Sequence, residues 1–336
     1  MAIDIEPFSL PLSRPLRTAT GEIETRSGFV IRTEIDGVPG VGEATPLPGW
    51  TETLKQCERA LSFVEDPLSA LESDQLAAVP AARHGLSLAV LDARARDEGR
   101  PLYRYLGCDK RVDSVPVNAT VGDCSAAETV SSVESAVESG YSAVKIKVGK
   151  RRPATDVERI KAVRGRCPDV ELRVDVNGGW NFEVAEEIIP ELAALDVTIV
   201  EQPLPPSELR GHARLRDRGV EIGIDEGLIE HGSNAVLDAE AADVLMCKPM
   251  ALGGIDIVKA VERAARMLGT GIIVTTTVDG AIARAAASHL AASIPERRPC
   301  GLATGELLER DIVDGICPVI DGTTAVPQGK GNIPPQ

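Results

Sequence analysis

Lysine is scarce in this sequence. Only nine of the 36 basic residues are Lys, and the other 27 are Arg. Aromatics are thin as well, at 3% Phe, Trp and Tyr. With 51 Asp and Glu and a net charge of −15, these shortages suggest an acidic surface from a salt-adapted or GC-rich source. Such a charge balance argues against a binder of nucleic acid or of anionic membranes. Histidine is confined to positions 84, 212, 231 and 289, with no i, i+4 pair, so an imidazole metal site is not expected. The seven cysteines, at 57, 108, 124, 167, 247, 300 and 317, include no C-x-x-C pair. That is neither a disulfide framework nor a zinc site, and it fits a reducing compartment. No stretch approaches 18 apolar residues, and carboxylates at Asp4 and Glu6 interrupt any leader-like run. The expectation is a cytoplasmic protein with neither membrane nor nucleic-acid partners.

The chain that remains is 336 residues long and 43% apolar, enough for one large barrel and a smaller domain. Two regimes divide it. Over residues 1–112, strand-like pieces at Gly28–Ile35 and Val41–Ala44 flank an Asp36-Gly37 turn. Helical patterns follow at Thr51–Glu65 and Val79–Glu98, the second with Pro80 in its first turn and Gly99 past its end. This is an α+β module. From 113 to about 310, short apolar strands recur at 115–119, 143–148, 171–176, 197–201, 220–225, 243–248 and 271–276. Each precedes a helical pattern, and Gly301–Thr304 is a candidate eighth strand. The alternation predicts an α/β barrel, a (β/α)7-8 TIM-like barrel capped by the N-terminal α+β domain. The segment 311–336 is expected to pack back on the cap. A doubly wound sheet would need a Gly-rich turn after its first strand, and Val121-Gly122-Asp123 does not supply one.

Active sites of such barrels lie at the C-terminal strand ends. There the sequence places Lys145 and Lys147, Asp175 and Asn177, Glu201, Asp225 and Glu226, then Lys248. The spacings from Lys147 onward are 28, 26, 24 and 23 residues, one charge per strand. Each of these charges taken singly reads as a solvated loop residue or a salt-bridge partner; five in one register do not. Three carboxylates meeting at a barrel mouth repel one another, and a hard divalent cation resolves the conflict. Mg²⁺ is expected, with Mn²⁺ as the alternative. Lys147 and Lys248 then flank the carboxylates. Lys145, on the same strand face as Lys147, is placed to depress the basicity of Lys147 and also reads as a charge balance for the carboxylates; the two roles are compatible. A metal-bound carboxylate substrate and a lysine base together suit α-proton abstraction.

These residues resemble the enolase superfamily, specifically its muconate-lactonizing-enzyme subgroup. The likeness rests on Lys145-Ile-Lys147, Asp175-Val-Asn177, Glu201-Gln-Pro, Asp225-Glu226 and Lys248-Pro followed by Gly253-Gly254. The stretch 84–107 also looks like that family's helix before the barrel. The resemblance implies metal ligation by Asp175, Glu201 and Asp225, and acid–base or cationic roles for Lys147 and Lys248. It implies cap loops over the mouth, by position about Thr18–Arg26 and Ala44–Thr53, and it makes a homo-oligomer plausible. Within the subgroup the chain is most like the o-succinylbenzoate synthases, Mg-dependent dehydratases of menaquinone biosynthesis. Dipeptide epimerases usually carry Asp-x-Asp at strand eight, whereas this chain has Gly301-Leu-Ala-Thr-Gly305. Mandelate-racemase-like members use a His after strand seven, whereas this chain has Thr275-Thr276-Thr277. N-acylamino-acid racemase, dipeptide epimerase and muconate cycloisomerase stand as alternatives. Further substrate contacts are assigned to Trp50, Thr276, Asp279, Gly253 and Gly254; the glycines and the Asp279-Gly280 pair read equally well as tight turns. His84, His289 and Cys247 read as structural.

Overall fold

The computed structural model describes residues 3–18 and 21–334. The chain opens with three antiparallel strands, β1 (Asp4–Thr18), β2 (Gly21–Ile35) and β3 (Val38–Ala44), ordered β1-β2-β3. Strand β1 had no counterpart in the sequence reading because Pro7, Pro11 and Pro15 interrupt it. Proline lacks the N–H that a central strand needs, and β1 tolerates it by lying at the sheet edge. The loop expected at Thr18–Arg26 is instead a hairpin arm, with Leu16 opposite Ile23 and Thr18 opposite Gly21. Residues 19 and 20, at its tip, lie outside the described residues.

Helices α1 (Leu54–Ser62), α2 (Pro67–Glu72), α3 (Pro80–Asp97) and α4 (Leu102–Tyr105) complete the cap. Thr53 and Gln56 close a capping box at the start of α1, inside the predicted 51–65 segment. Helix α3 crosses β3 at unusually close range: a Cβ on Gly42 would lie 1.9 Å from the carbonyl oxygen of Gly85. Glycine is required there by contact and not by dihedral angle.

The second part begins with β4 (Ser114–Pro116) and β5 (Ala119–Val121). Where the sequence suggested one strand over 115–119, the chain divides: β5 enters the barrel and β4 does not. Then follow α5 (Ala126–Glu138), β6 (Ala143–Lys147), α6 (Pro153–Arg166), β7 (Glu171–Asp175), α7 (Phe182–Ala193), β8 (Val197–Glu201) and α8 (Leu209–Leu215). The series continues through β9 (Glu221–Ile224), α9 (Glu226–Asp238), β10 (Val244–Cys247), α10 (Pro249–Leu252), α11 (Ile255–Met267), β11 (Gly271–Val274) and α12 (Ala281–Ala292). Strands β5 to β11 form one parallel sheet in chain order. Its two margins meet at Cys300 and Gly301, which bridge to Val117 and Thr275. The expected eighth strand is thus reduced to single bridges, and the sheet is a curled seven-stranded one.

Apolar residues bind the layers. Val144, Ile146, Leu172, Val174, Val200 and Cys247 belong to one large core shared with the helices. Ile199, Val244, Met246 and Ile273 form a separate small cluster. Met250 and Ala283 are buried together with Phe29, Ile31 and Leu86 of the cap, so the two parts share a core. The final segment pairs as β12 (Val319–Ile320) and β13 (Thr323–Ala325) with β4. It then runs along α3, where Asn332 donates to Asp92 and Arg96 donates to the Ile333 carbonyl. Among the described residues, no helix is long and apolar enough to cross a membrane.

Candidate active site

Parallel pairing puts the charged strand ends in one row. Lys147 is the register partner of Asp175, and Asp175 is the partner of Glu201. Because side chains alternate along a strand, three adjacent strands therefore present these groups side by side on one face. Lys145, two residues back on that face, reaches up to the row: its ammonium donates to both Glu201 oxygens at 2.9 Å and lies 3.1 Å from Asp175. Asp225 follows β9 and Lys248 follows β10, and the two side chains pair directly.

Burial dominates the electrostatics. Asp175, Glu201 and Asp225 are 0%, 1% and 4% exposed. Burial and the neighbouring Asp175 carboxylate lift Glu201 to about 7, against the pull of Lys145. Burial also opposes ionisation of Asp175, but Lys145 and Lys147 outweigh it and hold Asp175 below the usual carboxylate range. For Asp225, burial prevails over Lys248 and the value is raised. Lys145 is penalised by burial, yet Glu201, Asp175 and Asp225 drive it above an ordinary lysine. Its contacts thus fit the charge-balancing role.

Lys147 is placed differently. Its side chain is 35% exposed, against 13% for Lys145 and 12% for Lys248. Its ammonium donates to Asp175 and to the Asn177 side-chain oxygen, both at 2.7 Å. Asn177 passes the connection on, donating at 2.8 Å to Glu226. Asn177 has φ +48°, a left-handed conformation that Asn accepts more readily than most residues.

The residues suit a divalent cation. Four carboxylates (Asp175, Glu201, Asp225 and Glu226) share the mouth with three ammonium groups, leaving negative charge in surplus. The second Glu226 oxygen is buried with no hydrogen-bond partner. The carboxylates are divided among the lysines, and among the described residues no three His, Cys, Asp or Glu side chains close into a metal cage. Pairing with ammonium groups relieves the repulsion expected of converging carboxylates.

The cap reaches the mouth through the loop between β3 and α1. Trp50 lies over Lys248, with the ammonium 3.8 Å from the ring centroid. Thr276, just past the end of β11, hydrogen-bonds Thr304 across 2.8 Å. Three residues assigned to substrate have other partners. The N–H groups of Gly253 and Gly254 both point to the Pro249 carbonyl, in a turn with φ +93° and +150°. Asp279 is buried and accepts from Thr277. The N–H of Gly280, at the start of α12, is taken by a carboxylate from the cap: Glu43 accepts from Gly280 at 2.6 Å and from Ala283 at 2.9 Å. The N–H groups of Gly253, Gly254 and Gly280 thus all have protein acceptors in this structure.

Glu43 and Arg26 escaped the sequence reading. Arg26, on β2, is 3% exposed and donates to the carbonyls of Thr45, Pro46 and Val278, tying the cap loop to the loop between β11 and α12. Burial and Asp279 lift Glu43 to about 7. A carboxylate in the otherwise apolar Val41–Ala44 run was the available signal. His84 and His289 are buried and bonded to the Glu43 and Asn332 carbonyls, as structural histidines.

The chain matches two known domain families: "MenC, N-terminal domain" over residues 3–93 and "Enolase C-terminal domain-like" over 128–332. It is 29% identical to the L-Ala-D/L-Glu epimerase of Bacillus subtilis, over 98% of this chain and 94% of that protein. It is 38% identical to the o-succinylbenzoate synthase of Thermobifida fusca, over 60% of this chain and 63% of that one. A substrate-liganded structure of the B. subtilis epimerase superposes with a TM-score of 0.89 at 28% identity, covering 98% of this chain and 97% of the other. A dipeptide epimerase from Methylococcus capsulatus, solved with Mg and the dipeptide L-Arg-D-Lys, gives 0.86 at 26% identity, covering 98% of each chain. With its curled parallel sheet, its antiparallel cap and a family match spanning most of its length, the chain belongs to the enolase superfamily.

Proposed function

We propose that this protein is a Mg²⁺-dependent dehydratase, an o-succinylbenzoate synthase, that removes an α-proton from a small carboxylate substrate and expels water. The observation that carries the chemistry is the unequal setting of the two flanking lysines. Lys147 is the accessible one, and Lys248 is enclosed between Asp225 and Trp50. Asp175, Glu201 and Asp225 would hold the metal, with Asn177 and Glu226 supporting them. A cation bound there supplies electrostatic stabilisation for the charge that develops on the substrate carboxylate. Lys147 takes the proton from the α-carbon. The C–H electron pair becomes a ring double bond, the C–O bond breaks, and Lys147 returns its proton to the departing hydroxyl as water. One base on one face makes this a syn elimination. Lys248 remains a cation on the opposite side, and the Trp50 face favours that charge.

Support for the dehydratase comes from the N-terminal family match and from the T. fusca relative. The strand-eight position agrees: residues 301–305 carry no carboxylate to hold a substrate ammonium. A second reading, an epimerase or racemase of dipeptides or N-acyl amino acids using both lysines as bases, is favoured by the similarity to the B. subtilis epimerase over nearly its whole length. Incubation with Mg²⁺ in D₂O separates them. Water loss from a hydroxylated cyclohexadiene carboxylate is expected. Deuterium exchange with inversion at an amino-acid α-carbon, and no dehydration, would establish the second reading.

A further inference from the structure

Behind the carboxylates lies a buried polar pair that the proposed chemistry does not use. Gln202 follows Glu201, is fully buried, and has φ +42°, where a residue other than Gly or Asn is strained. Its side-chain oxygen accepts from the backbone N–H groups of Asp225 and Gly227, both at 3.1 Å. Its side-chain nitrogen donates to the Leu204 carbonyl at 2.9 Å and lies 3.3 Å from His212 Nε2. Two bonds accepted and two donated fill the capacity of a carboxamide.

His212 is equally constrained. The Leu204 N–H points at Nε2 across 3.3 Å, so Nε2 must be the acceptor. The ring proton therefore sits on Nδ1, which donates to the Glu208 carbonyl at 2.9 Å. Burial, working against the charged ring, depresses His212 to about 4, in keeping with a neutral imidazole. The orientation of the Gln202 amide follows: its NH₂ must face His212 and its oxygen must face β9. A strained residue attached to Glu201 is thereby bonded to the backbone of Asp225.

We propose that Gln202 and His212 are a positioning pair that fixes Glu201 and Asp225 relative to each other and so sets the affinity of this site for a divalent cation. The inference rests on the reading that these carboxylates hold a metal. Partners behind metal ligands typically contribute about 10- to 100-fold in metal affinity.

The test is Mn²⁺ titration of the metal-stripped full-length protein, followed by electron paramagnetic resonance of free and bound Mn²⁺, with melting in chelator measured in parallel. Gln202→Leu and His212→Phe are each expected to weaken Mn²⁺ binding about tenfold or more. The double variant should be little weaker than the worse single one, because the pair acts as a unit. His212→Gln, whose side-chain oxygen can accept both bonds, should restore most of the affinity. Asp225→Asn serves as the control on the metal reading. If the parent binds Mn²⁺, Asp225→Asn does not, and the Gln202 and His212 variants bind like the parent, the positioning role is refuted while the metal site stands. If the parent itself fails to bind, or Asp225→Asn binds equally well, the metal reading falls and the pair's role with it. Should Gln202→Leu not fold, Gln202→Met and His212→Gln are judged by the same measure.

Discussion

Trp50 of the cap stands over Lys248 of the barrel, its ring centroid 3.8 Å from the ammonium nitrogen. A contact of this kind is worth about 1 kcal/mol when partly desolvated, roughly a fivefold change in an equilibrium. The contact lies within the protein, so Trp50→Ala is expected to cost about 1 kcal/mol of stability, and Trp50→Phe, which keeps a π face, should recover most of it. Urea denaturation decides the point. An unchanged midpoint in Trp50→Ala would show that the ring does nothing to hold the Lys248 cation.

Lys147→Arg preserves the positive charge beside Asp175 but supplies a guanidinium that cannot release its proton near neutrality. Turnover should fall by about 10²- to 10⁴-fold, the usual contribution of a general base. Mn²⁺ binding should persist. A variant retaining a tenth of parental activity would remove Lys147 from the role of base.

Stripping the metal with a chelator should abolish turnover and lower thermal stability. At a free cation concentration about a hundred times Kd, the stabilisation lost is about 2.7 kcal/mol. Calorimetry with and without Mg²⁺ measures it, and Asp225→Asn should melt at the same temperature in both buffers.

Glu43 makes stability depend on pH. Burial and Asp279 lift it from 4.5 to about 7 in the folded chain, with Arg26, His84 and Thr45 also facing it. Between those pH values the folded protein holds a proton that the unfolded chain has released. The contribution is thus fully present below pH 4.5 and is lost as pH rises through about 7. It amounts to about 3 kcal/mol. Urea unfolding of the parent and of Glu43→Gln across this range should give a flatter curve for the variant. Parallel curves would show that Glu43 does not titrate there.

Gly42→Ala should destabilise the cap, since its Cβ would fall 1.9 Å from the Gly85 carbonyl oxygen. Overpacking of this kind costs about 1–3 kcal/mol, readable as a lower denaturation midpoint. Gly37→Ala serves as a contrast of a different kind: nothing lies within 4 Å of its added Cβ, but its φ of +83° strains any side chain.

The strand-end row was legible because two regularities coincide. Parallel strands recur at a nearly fixed interval, and a charge at each C-terminal end then needs no knowledge of tertiary structure. Lys147, Asp175 and Glu201 fall into direct register for that reason. Helix α3 was legible from Pro80 in its first turn and Gly99 past its end, and α1 from its helical pattern alone. Strand β1 was hidden by its three prolines, which only its edge position explains. The contacts of Gly280 were hidden for another reason: its ligand, Glu43, lies 237 residues away, and no local pattern marks so distant a carboxylate. Gln202 carried no local signal beyond its place after Glu201, because its strain and bonding exist only once β9 is alongside.

Asp92, buried on α3, accepts from the Val41 N–H of the neighbouring strand and from Asn332, 240 residues downstream. Arg96, one turn on, donates to the same carboxylate and to the Ile333 carbonyl. The cap precedes the barrel in the chain, so during synthesis its central helix lacks these two partners until the barrel strands have been translated. Domains made early usually fold early. Here the cap's central helix is completed by residues that follow the barrel in the chain, which ties its packing to a segment made after the barrel.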